Sequence, residues 1–155
     1  MANITESIDV EVPVRTAYDQ WTQFEEFPQF MEGVRSVDQI DDAHLRWVAE
    51  IGGSQQAWTA EITEQRPDER VAWKTVEGHG NAGVVTFHRL GEGETRVTVQ
   101  MEHETEGLRE QLGSALGMDS RRVKGDLERF KDLIESRGVE TGAWRGEIEG
   151  GERIR

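Results

Sequence analysis

From residue 34 to residue 103, apolar and polar side chains alternate in run after run, and each run stops at a turn signal. VRSVDQI ends at Asp41-Asp42. Leu45, Trp47, Ala49 and Ile51 alternate with His44, Arg46, Val48 and Glu50 as far as Gly52-Gly53. QAWTAEITE puts Trp58, Ala60 and Ile62 on one face and ends at RPDE. VAWKTV carries Trp73 to GHGN, VVTFHRL runs to GEGE, and TRVTVQMEHE sets Val97, Val99, Met101 and His103 on a common face. A period of two belongs to a strand with one buried face. Connections this short join antiparallel neighbours. Six successive strands with one polar face each need an apolar partner on the other side.

The partner follows in residues 107–136. Leu108, Leu112, Leu116, Val123, Leu127, Phe130 and Ile134 recur at the spacing of one helix face. A helix of that length reaches roughly 45 Å, enough to cross a sheet, and Gly138 supplies a C-terminal stop. Ahead of residue 34, ITESIDVEV alternates as a further strand. Pro13 ends it and opens a short helix, VRTAYDQW. The stretch WTQFEEFPQF then places Trp21, Phe24, Phe27 and Phe30 three residues apart. Steps of three turn about 60° around a helix, so the four cannot share one narrow face, and Pro28 forbids a regular helix through the stretch. The reading is one short helix, a break and a second short element. Trp21 belongs to the core seam, and Phe24, Phe27 and Phe30 act as a lid with Met31 as adaptable filler.

The expected fold is therefore α+β: a curved antiparallel seven-stranded sheet wrapped around a long C-terminal helix, with two short helices after strand 1. This is the helix-grip arrangement. It spans residues 1–137, and residues 138–155 are expected as a flexible tail. The tail is glycine-rich with balanced charge; its Trp144 and Arg145 leave open a docking peptide for a protein partner.

The residues also resemble a family. VEVPVRTAYDQWTQFEEFPQFMEGVRSV is similar to the opening of START-like (SRPBCC) proteins of the polyketide cyclase/dehydrase and coenzyme-Q-binding kind. In those proteins a strand and a proline lead to a Trp-bearing helix, an aromatic-Pro segment and a second strand. GEGETRVTVQME resembles their hairpin into the last strand, and the resemblance covers roughly residues 3–137. It implies a hydrophobic cavity between sheet and long helix, for lipids, quinones, sterols, hormones or polyketides, with catalysis in only some members. Aromatase/cyclases place an arginine before a turn proline at the end of the central strand. The matching position in ITEQRPD is Gln65, with Arg66 one residue over, and a one-residue shift reverses the face.

Composition narrows the partners. A net charge of −13 repels phosphate backbones and anionic headgroups, so nucleic acid is not expected. No run is long and apolar enough for stable membrane insertion, and no secretory signal is visible. With no cysteine, thiolate chemistry and Cys-ligated metal are excluded, which fits the cytoplasm. Neither a metal nor a cofactor is expected: the four histidines lack helical ligand spacing, and no phosphate loop, GxSxG or HExxH motif occurs.

The candidate ligand-binding residues are Phe24, Phe27, Phe30, Met31, Trp47, Trp58, Trp73, Phe87, Val99, Met101, His103, Asp119 and Ser120. Asp119 and Ser120 interrupt the apolar face of the long helix, after Gly113 and Gly117. They either meet a cavity or mark a kink at GMDS. Candidate proton-handling groups are His103, Asp119 and Arg66. The function expected first is binding or carrying a lipophilic small molecule, such as a quinone, isoprenoid, lipid or aromatic metabolite. A cyclase or dehydratase acting on a similar ligand and a protein-partner-binding module are the alternatives.

Overall fold

Alternation and short turns give a continuous meander. The computed structural model describes residues 2–51, 53–78, 81–103 and 120–155. Its elements are β1 (Ala2–Val10), α1 (Val14–Trp21), a 3-10 helix (Phe24–Gln29), β2 (Val34–Asp41), β3 (His44–Ile51), β4 (Ser54–Arg66), β5 (Arg70–Glu77), β6 (Asn81–Gly91), β7 (Glu94–His103), α2 (Ser120–Arg137), β8 (Ile148–Glu149) and β9 (Glu152–Arg153). The sheet order is β1-β7-β6-β5-β4-β3-β2, and the pairings are antiparallel. The seven strands expected from the pattern are thus present, with β1 closing against β7. β4 carries register shifts between Thr59 and Ala60 and between Ile62 and Glu64. Such shifts bend a strand and increase its twist, which curls the sheet.

α2 presents Val123, Leu127, Phe130 and Ile134 to the sheet, all buried. The stripe expected further upstream, with Leu108, Leu112, Leu116, Gly113 and Gly117, lies outside the described residues. The break at Pro28 becomes the 3-10 helix, whose last turn tightens as the Phe30 and Met31 N–H groups both donate to the Phe27 carbonyl, at 3.1 and 2.8 Å. Trp21 joins both short helices to α2: its ring centroid lies 5.4 Å from Phe27, 5.6 Å from Phe30 and 5.0 Å from Phe130. Tyr18 meets Phe87 edge-on at 5.4 Å. Aromatic packing therefore fills the end of the grip nearest α1.

The tail departs from expectation. Residues 138–155 are docked on the body. β8 pairs with Glu64 and Gln65 of β4, beyond the point where β3 has ended at His44, and so continues the slot that β3 vacates. Ile148 is fully buried and Trp144 packs on the core. Asp19, only 2% exposed at its side chain, receives Arg145 at 2.5 Å, and the same guanidinium reaches Asp68 at 2.8 Å. Thr141 and Trp144 donate backbone N–H groups to Gln20 and Thr22 of the α1 end. A buried carboxylate demands a cation, and the tail supplies it. Trp144 and Arg145, which the sequence left open as anchors for a partner, both make contacts within the chain.

A surface histidine sits between two carboxylates. His44 Nδ1 lies 2.8 Å from Asp41, and Nε2 lies 3.4 Å from Glu61. Asp41 holds the imidazole above the usual 6.5. A raised folded-state pKa gives stability that is full below the unfolded value and fades as pH rises through the folded one. An NMR titration of the His44 Cε1 proton is expected to show a midpoint above 6.5, and Asp41→Asn to lower it. A wild-type midpoint at or below 6.5 would remove the assignment.

Candidate functional site

Packing is incomplete in the part of the grip that holds Ala49, Trp58, Asn81 and Met101. A cavity of about 140 Å³ opens there between the inner face of the sheet, the 3-10 helix and α2. One ordered water needs only about 10–15 Å³ measured this way, so the space suits something larger. Trp47, Trp58 and Trp73 line it from β3, β4 and β5, with Phe24 and Phe27 from the 3-10 helix, Met31 after it, and Val99 and Met101 from β7. Between them stand Ala49, Ala60, Ile62, Val71, Val85 and Leu127. Small side chains at 49 and 60 leave the room that the indoles enclose.

The indoles are held in place. Trp47 and Trp58 are direct cross-strand partners, stacked at 5.7 Å with 10° between planes. Trp73 donates its Nε1 hydrogen to Asn81 Oδ1 at 2.7 Å. Phe27 lies against Trp47 at 5.6 Å. Among the described residues the charged or amide side chains on the lining are Glu32, Asn81, Arg122 and Asp126. The Asp126 carboxylate accepts the Glu32 N–H at 3.0 Å and pairs with the Arg129 guanidinium. Burial nevertheless holds this carboxyl above its ordinary value. Glu32 and Arg122 share its end of the cavity, so the space is an apolar chamber with a small polar pole.

Of the expected ligand-binding residues, Phe24, Phe27, Met31, Trp47, Trp58, Trp73, Val99 and Met101 meet around the cavity. Phe24 and Phe27 are 4% and 3% exposed, so they form wall rather than an outer lid. Phe30 and Phe87 do not reach the cavity: Phe30 packs tilted or edge-on against Trp21 and Phe130, and Phe87 edge-on against Tyr18 and Trp21, in the filled half. Trp21, assigned from sequence to the core seam, both packs there and lines the cavity. Ser120 is the first residue of α2, exposed and off the lining. Asp119 and the side chain of His103 lie outside the described residues. Arg66 does not join the cavity; its guanidinium sits 3.3 Å from Glu64 and is partly exposed. Gln65 is fully buried at the other end, beside Ile148, where burial also pushes the Tyr18 hydroxyl up to about 12.

A polyketide cyclase/dehydrase and lipid transport family model matches residues 10–132. The chain belongs to that family. A family relative from Streptomyces lincolnensis, an uncharacterized 17.2 kDa protein in the melC2-rnhH intergenic region, is 54% identical over 149 residues, covering 96% of this chain and 99% of the relative. A crystal structure from Deinococcus radiodurans is 28% identical with a TM-score of 0.69, over 88% of this chain and 99% of that one. The Zhui aromatase/cyclase of a Streptomyces species gives a TM-score of 0.74 at 13% identity, over 92% and 99% of the two chains. A START superfamily protein of Mycobacterium smegmatis gives 0.66 at 16%, over 87% and 95%. The last two share the fold. The family match stops before the tail that carries Trp144 and Arg145. Among the described residues no helix is long and apolar enough to cross a membrane.

Four polar lining residues, Glu32, Asn81, Arg122 and Asp126, escaped the sequence reading. Glu32 sits in the turn before β2 and Asn81 is the first residue of β6, where no period marks a face. Asp126 lies three residues after Val123, about 60° to the side of the apolar stripe. That flank was the available signal.

Proposed function

We propose that the chain binds or carries a lipophilic small molecule, such as a quinone, isoprenoid, lipid or aromatic metabolite, in this cavity. The observation that carries the reading is an apolar chamber walled by three indoles and two phenyl rings, inside a fold that could otherwise have been filled. The family's description, which joins lipid transport to cyclisation and dehydration, supports it. A cytoplasmic setting is part of the proposal, supported by a cysteine-free sequence. Native mass spectrometry and organic extraction of the purified protein are expected to show a bound apolar species. Tryptophan fluorescence should respond when such species are added back. An empty protein whose fluorescence ignores quinones, isoprenoids and fatty acids would end the proposal.

A cyclase or dehydratase acting on an aromatic or polyketide ligand is the second reading. Asp126 favours it, because a cavity carboxyl with a raised pKa suits proton transfer. Asp126→Asn is then expected to abolish turnover of a cyclisable polyketide while ligand binding survives. Undiminished turnover would exclude this role.

A further inference from the structure

Resting on the ligand-binding reading above, we infer that Asn81 and Gly83 are specificity-determining residues that fix Trp73 as a rigid wall. That wall selects a flat ring system bearing a carbonyl oxygen at its edge over a flexible acyl chain. Asn81 and Gly83 stand two apart on β6 and so face the same side of the sheet. Between them they hold one edge of the Trp73 indole. At one point Nε1–H donates to Asn81 Oδ1 at 2.7 Å. At the other the benzo ring occupies the space of a missing side chain: a Cβ at 83 would stand 2.8 Å from Cζ2 and 2.9 Å from Cη2 of Trp73. It would also stand 2.5 Å from the Gln100 carbonyl oxygen, which belongs to the β7 backbone and cannot swing away. Glycine is the residue that lets the ring lie against β6.

The bond to Trp73 also sets what Asn81 offers. An indole N–H only donates, so the amide oxygen must be the atom facing it. With Oδ1 engaged, the NH2 group is the donor that Asn81, a lining residue, has left to offer a ligand, and its complement is an acceptor such as a carbonyl oxygen. The stacked Trp47 and Trp58 rings give a second fixed aromatic surface on the same chamber. A preorganised ring between fixed rings gains stacking and loses little conformational freedom. An acyl chain entering the same space must freeze each of its torsions.

Isothermal titration calorimetry with two probes, menadione and laurate, tests this on the full chain. Wild type is expected to bind menadione at least about tenfold more tightly than laurate. Asn81→Leu, which keeps the volume and the backbone, and Trp73→Leu are each expected to weaken menadione about tenfold and change laurate less than about threefold. Gly83→Ala is expected to do the same if it folds; the first two variants carry the test if it does not. Menadione affinity untouched by Asn81→Leu and Trp73→Leu, or laurate weakened equally, overturns the selectivity while leaving a ligand-binding cavity. Laurate binding alone does likewise. Binding of neither probe by wild type takes away the ligand-binding reading itself.

Discussion

Replacing Arg145 with methionine is expected to lower the stability of the folded chain by about 3–5 kcal/mol, the usual loss when one partner of a buried ion pair is removed. Asp19 is 1% exposed overall and lies on α1 among core residues. Its other cation, Arg15, is 3.6 Å away and largely solvent-exposed, so it compensates weakly. The Arg145 guanidinium also stands 5.7 Å from the Tyr18 ring and holds Asp68, so one substitution releases several contacts. At 2–4 °C per kcal/mol for a chain of this size, the melting temperature should fall by roughly 6–20 °C. The deficit has a pH signature. Burial keeps the Asp19 carboxyl above the ordinary carboxylate value even with Arg145 present. Losing the cation raises it further, and a raised folded pKa favours folding at acid pH and loses that contribution as pH rises through it. The variant's deficit should therefore shrink as pH falls toward about 4. Asp19→Asn in the same chain should recover part of the loss. A melting temperature within about 2 °C of wild type would show that the tail is not needed to hold the body together.

Phe27→Ala is the second large effect, expected to cost about 3–5 kcal/mol. Phe27 is 3% exposed and touches Trp21, Phe24, Phe30 and Trp47, with ring centroids 5.4 to 5.6 Å away. It separates the filled half of the grip from the cavity, so removing it joins new void to existing void. Two of its neighbours are poorly placed to collapse into the space, because Trp47 is stacked on Trp58 and Trp21 is held by Phe130. The variant should therefore accept a larger apolar ligand than wild type. Saturating ligand should return several degrees of melting temperature, since binding to the folded state alone stabilises it by mass action. A loss under about 1 kcal/mol, or a cavity that takes no larger ligand, would mean that the ring is not structural wall.

Strand order and the gripping helix were legible because their cause is periodic. Trp47, Trp58 and Ile62 alternate with polar neighbours, and Val123, Leu127, Phe130 and Ile134 repeat at helical spacing, so each residue reports its own face. Burial along a strand, however, does not tell packed core from cavity wall. Phe87 and Val99 read alike in sequence, yet Phe87 meets Tyr18 and Val99 meets open space. That difference depends on where the side chains of α1 and the 3-10 helix end, which no period encodes. Phe30 and Phe24 divide for the same reason. The tail was opaque because its attachment is single residues rather than a stripe. Arg145 fits Asp19, Ile148 fills one position, and two N–H groups find Gln20 and Thr22. Gly142, Gly146, Gly150 and Gly151 between them suggest looseness by composition alone.

The pairing of residues 19 and 145 sets an order on synthesis. A hundred and twenty-six positions separate them, and β1 likewise waits for β7 before it has a neighbour. While the chain is still on the ribosome, α1 carries a carboxylate whose closer cation, Arg145, has not been made, and its apolar face has no complete sheet to join. Contacts this distant in sequence slow folding and prolong exposure of unfinished strands. Residues around Arg145 and β8 therefore join the body only after the sheet they dock on has been made, and a chain truncated before Arg145 should be far more open to protease than one that retains them.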